Sequence, residues 1–302
     1  MTFQDEMRPF FGPLLADLFQ GREGGILVAG GYGLFLKQSW LLQHPELPII
    51  VPISQWRDNT PRVTKDLDLV IGLDVISEAA DHEQVLQTIE KHGFKVSEKN
   101  PRWQFIKELP LERKVIVELH APFPPTHVSG LAADRIRVKR KPSLGERGFH
   151  ARTNPEAIGS ALNPFRFQVD GMTVLVPNPI TWSIMKLTAA DDRWRRANDP
   201  DESEKFRSFS RAQAIKHAQD VCRMVAMVSR DESDATPPII EALRTTAEFQ
   251  RAVLIVAESL ANDDQWASQV LSEYWSDESL AIIRSTLRTF RSTLRTWFAN
   301  NA

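Results

Sequence analysis

The segment VTKDLDLVIG, Val63 to Gly72, holds two aspartates, Asp66 and Asp68, two residues apart inside an apolar run. In an extended strand, residues i and i+2 share a face. The two carboxylates therefore stand side by side among Leu67, Leu69, Val70 and Ile71. Such a pair has two chemical uses: it can hold a divalent cation, or it can share a proton as acid and base. The bland alternative is a strand edge whose charges are solvated, and for D-x-D alone that is the commoner explanation.

Three further features shift the balance. AGGYG, Ala29 to Gly33, separates a strand-like run from a helix-like run. Gly30 and Gly31 would let the backbone approach a phosphate, with the amides of the following helix start aimed at the anion. Glu118 is a carboxylate inside the otherwise apolar strand KVIVELH, and Lys186 lies in the apolar helical stretch SIMKLTAADDR. Lys216 and Asp220 follow 30 residues later in KHAQD. Taken singly, each has an ordinary structural explanation: a tight turn, an edge glutamate, a snorkelling lysine.

The elements that must carry these residues are legible as an α+β chain in two parts. ILVAGGYGLFLKQSWLLQ reads as strand, turn and helix, and RVTKDLDLVIGL as a strand. SEAADHEQVLQTIEKHG reads as a helix capped by Ser77 or Asp81 and stopped by Gly93. FKVSE, RWQFIKEL and KVIVELHAP read as three more strands, and Asp170-Gly171 marks a hairpin. After Pro179 the periodicity becomes helical, with ANDPDESEK as a polar linker and three or four helices from Pro237 to Trp297. The predicted division is a mixed-sheet α/β module over residues 1–178 and a helical module over 179–302.

The bulk numbers fit that division. The chain has 302 residues, 42% hydrophobic and 25% charged, with a net charge of −2. It therefore carries no overall polycationic signature, and a nucleic-acid partner would need a local basic patch. One cysteine, Cys222, excludes an intrachain disulfide framework and points to a reducing cytoplasm. The N-terminal segment reads as an amphipathic helix and not a signal peptide. No run approaches the roughly 20 apolar residues of a membrane span. The seven histidines show no H-x₃-H spacing, which argues against zinc.

In order and type, the residues resemble the polymerase-β-type nucleotidyltransferase superfamily: GG, then alternating apolar residues and aspartates, then a third carboxylate on a later strand. AGGYGLFL, RVTKDLDL, IMKLTAADDR and IKHAQDV look most like the AbiEii/MenT-like branch, toxins of type IV-like toxin–antitoxin systems. In that branch Arg62, Thr64, Asp66 and Asp68 fit the second element, Lys186 the third, and Lys216 with Asp220 the fourth. The resemblance covers residues 24 to 225. His217 stands where the family has Asp, and QHPELPIIVPISQWRDNTP lengthens the spacer before Asp66.

The resemblance implies a nucleotidyltransferase-fold module and transfer of a nucleoside monophosphate from a nucleoside triphosphate. Asp66, Asp68 and Glu118 would hold one or two Mg²⁺ ions, and Glu118 would help deprotonate the attacking hydroxyl. Gly30 and Gly31 would present amides to the phosphates. Lys186 would neutralise the triphosphate, and Asp220 would orient Lys186 or touch the base or ribose. Arg62 and Lys216 are lesser nucleotide-binding candidates. The implied acceptor is a tRNA 3′ end, with a small molecule of aminoglycoside type or a protein hydroxyl as alternatives. A cognate antitoxin protein is an implied partner. A reading of another class is a nucleotide-binding module without catalysis.

Other residues keep plainer readings. The five basic residues within 135–141 read as a solvated loop, with an RNA-backbone patch extended by Arg193, Trp194, Arg195 and Arg196 as the alternative. His120, two residues after Glu118, reads as a packed or exposed histidine that could line the site. Cys222 reads as core, and Trp182, Trp266, Trp275 and Trp297 as helix-packing residues.

Overall fold

The computed structural model describes residues 5–22, 24–56, 60–61, 64–100, 103–123, 131–132, 137–138, 152–274 and 288–299. The chain divides into two compact units, Met1–Trp40 with Pro61–Pro177, and Leu41–Thr60 with Asn178–Ala302. Both α-helix and mixed β-sheet are present, so the fold is α+β.

The first unit opens with α1 (Arg8–Phe19), which buries Phe11, Leu14, Leu15, Leu18 and Phe19. That spacing is one helical stripe facing a core. Next come β1 (Ile26–Val28), α2 (Gly30–Gln43), β2 (Asp66–Ile71), α3 (Leu73–Ser77), α4 (Ala79–Lys91), β3 (Lys95–Val96), β4 (Gln104–Glu108) and β5 (Lys114–Ala121). A short antiparallel pair follows, β6 (Leu131–Ala132) with β7 (Arg137–Val138), then β8 (Arg152–Thr153). A hairpin of β9 (Phe165–Val169) and β10 (Met172–Val176) turns on Asp170 and Gly171, with φ of 50° and 78°. Two consecutive positive φ angles suit Asp-Gly, as the sequence predicts.

The main sheet runs β1-β2-β5-β4-β3, with β8 alongside the end of β5. β2 and β5 are parallel, whereas β1–β2, β4–β5 and β3–β4 are antiparallel. A parallel pair needs a crossover connection, and α3, α4, β3 and β4 provide the intervening chain. Alternation sorts the two faces. Leu67, Leu69 and Ile71 of β2 and Val115, Val117 and Leu119 of β5 are fully buried. Asp66 and Asp68 alternate with them on β2 and Glu118 on β5, all half-buried.

Helix α4 is not capped as expected. Ser77 is the last residue of α3, and the N-cap of α4 is Glu78, which makes no side-chain cap bond. Asp81 lies in the first turn and pairs instead with Arg22 at 3.2 Å. Gly93, at φ +80°, follows the helix end as predicted.

The second unit contains α5 (Pro179–Ala197), α6 (Glu204–Ala226), α7 (Arg230–Leu243), α8 (Ala247–Ser259) and α9 (Trp266–Tyr274), and a helical segment over 288–299. The Asn178 side chain caps α5 by accepting from the Thr181 N–H at 2.9 Å. α7 begins earlier than Pro237, at Arg230. A reciprocal capping box of Ser229 and Glu232 sets its start. Pro237 and Pro238 lie inside the helix. Pro237 cannot donate to the Ser233 carbonyl, and the Thr236 hydroxyl donates to it instead at 2.8 Å. Residues 41–60 belong to this unit. The Ile50 and Val51 N–H groups donate to the Val228 and Ala226 carbonyls, and Arg223 donates to the Thr60 carbonyl at 3.0 Å. No helix among the described residues is long and apolar enough to cross a membrane.

Candidate metal and phosphate site

The register of β2 against β5 places Asp68 directly opposite Glu118, and Val70 opposite His120. On the other side of β5, Gln104 of β4 stands opposite Glu118. Strand pairing alone thus gathers two carboxylates, an imidazole and an amide on one face.

The side chains converge as that register implies. His120 Nε2 lies 3.4 Å from Asp68 Oδ1 and 3.6 Å from Glu118 Oε2. One ligand atom from each of Asp68, Glu118 and His120 falls within a common 4.8 Å. The outer oxygen of Glu118, Oε1, accepts a 2.6 Å hydrogen bond from the Gln104 side-chain amide. The Gln104 carbonyl in turn accepts from the Ser97 hydroxyl at 2.8 Å. Gln104 and Ser97 therefore fix one oxygen of Glu118 and leave Oε2 turned to Asp68 and His120. Supporting bonds of this kind orient the groups that hold metals.

Gly30 forms the wall behind Asp68. It is the first residue of α2, at φ +61°, and a Cβ placed on it would overlap the Asp68 carboxylate. The Asp68 carbonyl accepts from the Ala29 N–H at 2.8 Å, which ties the turn to β2. The carboxylate is thus seated against the start of α2, where first-turn N–H groups have no acceptor within the helix. A helix start beside a cation-binding carboxylate is chemically suited to a metal–phosphate ligand.

The remaining residues singled out in the sequence fall as follows. Asp66 lies on the same face of β2 but outside the close trio of Asp68, Glu118 and His120. Gly31 is in the first turn of α2. In the helical unit Lys186 and Asp220, both buried, form an ion pair at 2.8 Å between α5 and α6. Lys216 is half-buried on α6. Arg62 lies outside the described residues, as do Trp275 and, apart from the β7 backbone, the basic stretch 135–148.

The sequence alone gives Gln104 no role, and reads His120 as a packed or exposed histidine that could line the site. His120 is buried, 8% exposed, and its Nδ1 meets no hydrogen-bond partner among the described residues. Its i+2 relation to Glu118 was the available signal. Gln104 required the antiparallel register. Among the plainer readings, Cys222 is buried, and burial pushes its thiol pKa well up. Trp194 stacks on Trp266 with ring centres 4.4 Å apart, so its ring is engaged within the helical unit.

No family model, curated protein or solved structure matches this chain.

Proposed function

We propose that the chain is a divalent-cation-dependent nucleotidyltransferase and that its sheet unit is a nucleotidyltransferase-fold module. The observation that carries this reading is the seating of Asp68 against Gly30 at the start of α2, opposite Glu118 on the parallel strand. It joins a cation-binding carboxylate pair to a phosphate-binding helix start. The resemblance of GG, D-x-D, Lys186 and Lys216/Asp220 to AbiEii/MenT-like toxins supports the same reading.

Asp68 and Glu118, with Asp66 beside them, are the residues that would hold the cation. The two carboxylates, set with donor atoms a few ångströms apart, suit a divalent ion. A bound cation supplies charge neutralisation to the phosphates and to the leaving pyrophosphate. The acceptor hydroxyl oxygen forms the new bond to the α-phosphorus as the bond to the β-phosphate breaks. The Glu118 carboxylate, oriented by the Gln104 amide on Oε1, would help remove the hydroxyl proton. The Gly30 and Gly31 segment receives phosphate oxygens at the α2 start. Lys186 pairs with Asp220, and the resemblance alone assigns it to the triphosphate. The acceptor assigned is a tRNA 3′ end, and the biological role is that of a toxin restrained by an antitoxin protein.

The test is incubation with each of the four α-labelled nucleoside triphosphates, Mg²⁺ or Mn²⁺, and total RNA. Label in tRNA supports the proposal. Label only in a small-molecule acceptor or in protein keeps the chemistry and removes the tRNA and toxin assignments. No transfer and no pyrophosphate release, together with a retained cellular effect in Asp66→Ala, leaves a nucleotide-binding module instead.

A further inference from the structure

The third member of the cluster changes what the site should bind. We propose that His120 supplies a nitrogen ligand to the Asp68–Glu118 cation, so that the site selects a first-row transition ion of the Mn²⁺ class over Mg²⁺. The inference rests on the metal-site part of the proposed function, and it is independent of whether nucleotidyl transfer follows.

The geometry supports a shared ion. Carboxylate–metal and imidazole–metal bonds are each about 2.0–2.2 Å, so adjacent ligand atoms at right angles sit about 3 Å apart. The His120 Nε2 distances to Asp68 Oδ1 and Glu118 Oε2, 3.4 and 3.6 Å, lie just beyond that separation. The ring presents one nitrogen to both carboxylates at once. The free choice of each neighbouring group is restricted: Glu118 by Gln104, and Asp68 by the Gly30 wall. The imidazole itself is buried, and its Nδ1 meets no acceptor among the described residues.

The donor set then decides the metal class. Mg²⁺ favours oxygen ligands and keeps several waters, whereas imidazole suits later divalent ions. Two carboxylate oxygens with one imidazole nitrogen form a mixed set that Mn²⁺ and its neighbours accept better than Mg²⁺. The competing explanation is that His120 is only a counter-charge to the two carboxylates. The two explanations give opposite signs on removal of the ring. Loss of a ligand weakens transition-metal binding, and loss of a competing cation strengthens binding of every divalent ion.

The experiment uses the full chain without nucleotide. Free Mn²⁺ is followed by its room-temperature EPR signal during titration, and Mg²⁺ by competition against bound Mn²⁺. Wild type is expected to prefer Mn²⁺. His120→Ala is expected to lose about tenfold or more in Mn²⁺ affinity, the scale seen even for groups one shell out, with Mg²⁺ changed by less than about threefold. Pulsed EPR on the wild-type Mn²⁺ complex needs no variant, and nitrogen modulation from a coordinated imidazole is expected. Absence of that modulation overturns the proposal, as does tighter binding of both ions by His120→Ala. Nitrogen modulation in a protein that transfers no nucleotide sinks the enzyme reading and leaves this one standing. Transfer without the modulation does the reverse.

Discussion

A Cβ on Gly30 would stand 2.6 Å from Asp68 Cγ and 2.9 Å from Asp68 Cβ. No side chain at position 30 fits while Asp68 keeps its place. Gly30→Ala therefore carries two penalties. The left-handed backbone costs a non-glycine residue about 1–2 kcal/mol, and the carboxylate is driven out of the site. Denaturant unfolding should show the first effect, and a cation titration the second. Unchanged cation affinity in a folded Gly30→Ala protein would contradict the assignment of Asp68.

Asp68, Glu118 and His120 bring one ligand atom each within 4.8 Å of one another. A divalent ion with a nucleoside triphosphate should thus raise the melting temperature. A ligand at a hundredfold its Kd adds about 2.7 kcal/mol. Asp68→Asn should lose most of that gain, and Asp66→Asn less, because Asp66 stands outside the close trio. Differential scanning fluorimetry with and without nucleotide measures both. Equal shifts in wild type and Asp68→Asn remove the metal assignment.

The Lys186–Asp220 pair is buried on both sides, so its halves are unequal to the whole. Breaking such a pair strands a buried charge and costs about 3–5 kcal/mol. Lys186→Met and Asp220→Leu should each destabilise by roughly that much, and the double variant should recover a large part. Nucleotidyl transfer should recover in none of the three. Activity in the double variant would make the pair purely structural.

Asp17 on α1 joins α4 through Lys91 at 2.7 Å and His92 at 2.9 Å. The hydrogen bond from Lys91, then that with His92, holds its carboxyl pKa below the ordinary aspartate value. A lowered carboxylate pKa contributes stability that is fully present above the unfolded value and is lost as pH falls through the folded one. The stability that wild type holds over Asp17→Asn should be present at about pH 5, above the unfolded pKa near 3.9, and should shrink as pH falls below that. Urea midpoints across this range check it, and a difference that grows in acid would reverse the sign.

Much of the sheet unit is legible from local pattern. Alternation in DLDLVI and KVIVELHA separates core from site residues, and Asp170-Gly171 names its own turn. The Lys186–Asp220 contact spans 34 residues, and periodicity gave each helix but not their facing. What stays hidden depends on strand order. Gln104 reaches Glu118 only because β4 pairs antiparallel with β5, and nothing in RWQFIKEL states that partner. His120 is half-concealed: an isolated histidine is usually packing, and its i+2 relation to Glu118 gains weight only with the contact to Asp68 across β2–β5. The expected helices begin at Pro237, whereas the capping box at Ser229 and Glu232 sets the start of α7 earlier.

The parallel pairing of β2 and β5 has a consequence for how such a chain tolerates change. One register buries Leu67, Leu69, Val117 and Leu119 and also sets Asp68 opposite Glu118. A one-residue slip would turn both faces over together. Selection acting on solubility alone would then preserve the geometry of the carboxylates, even in a lineage where their chemistry was not in use. Substitutions that resize the apolar side chains can accumulate there, whereas a single inserted or deleted residue in either strand is removed at once.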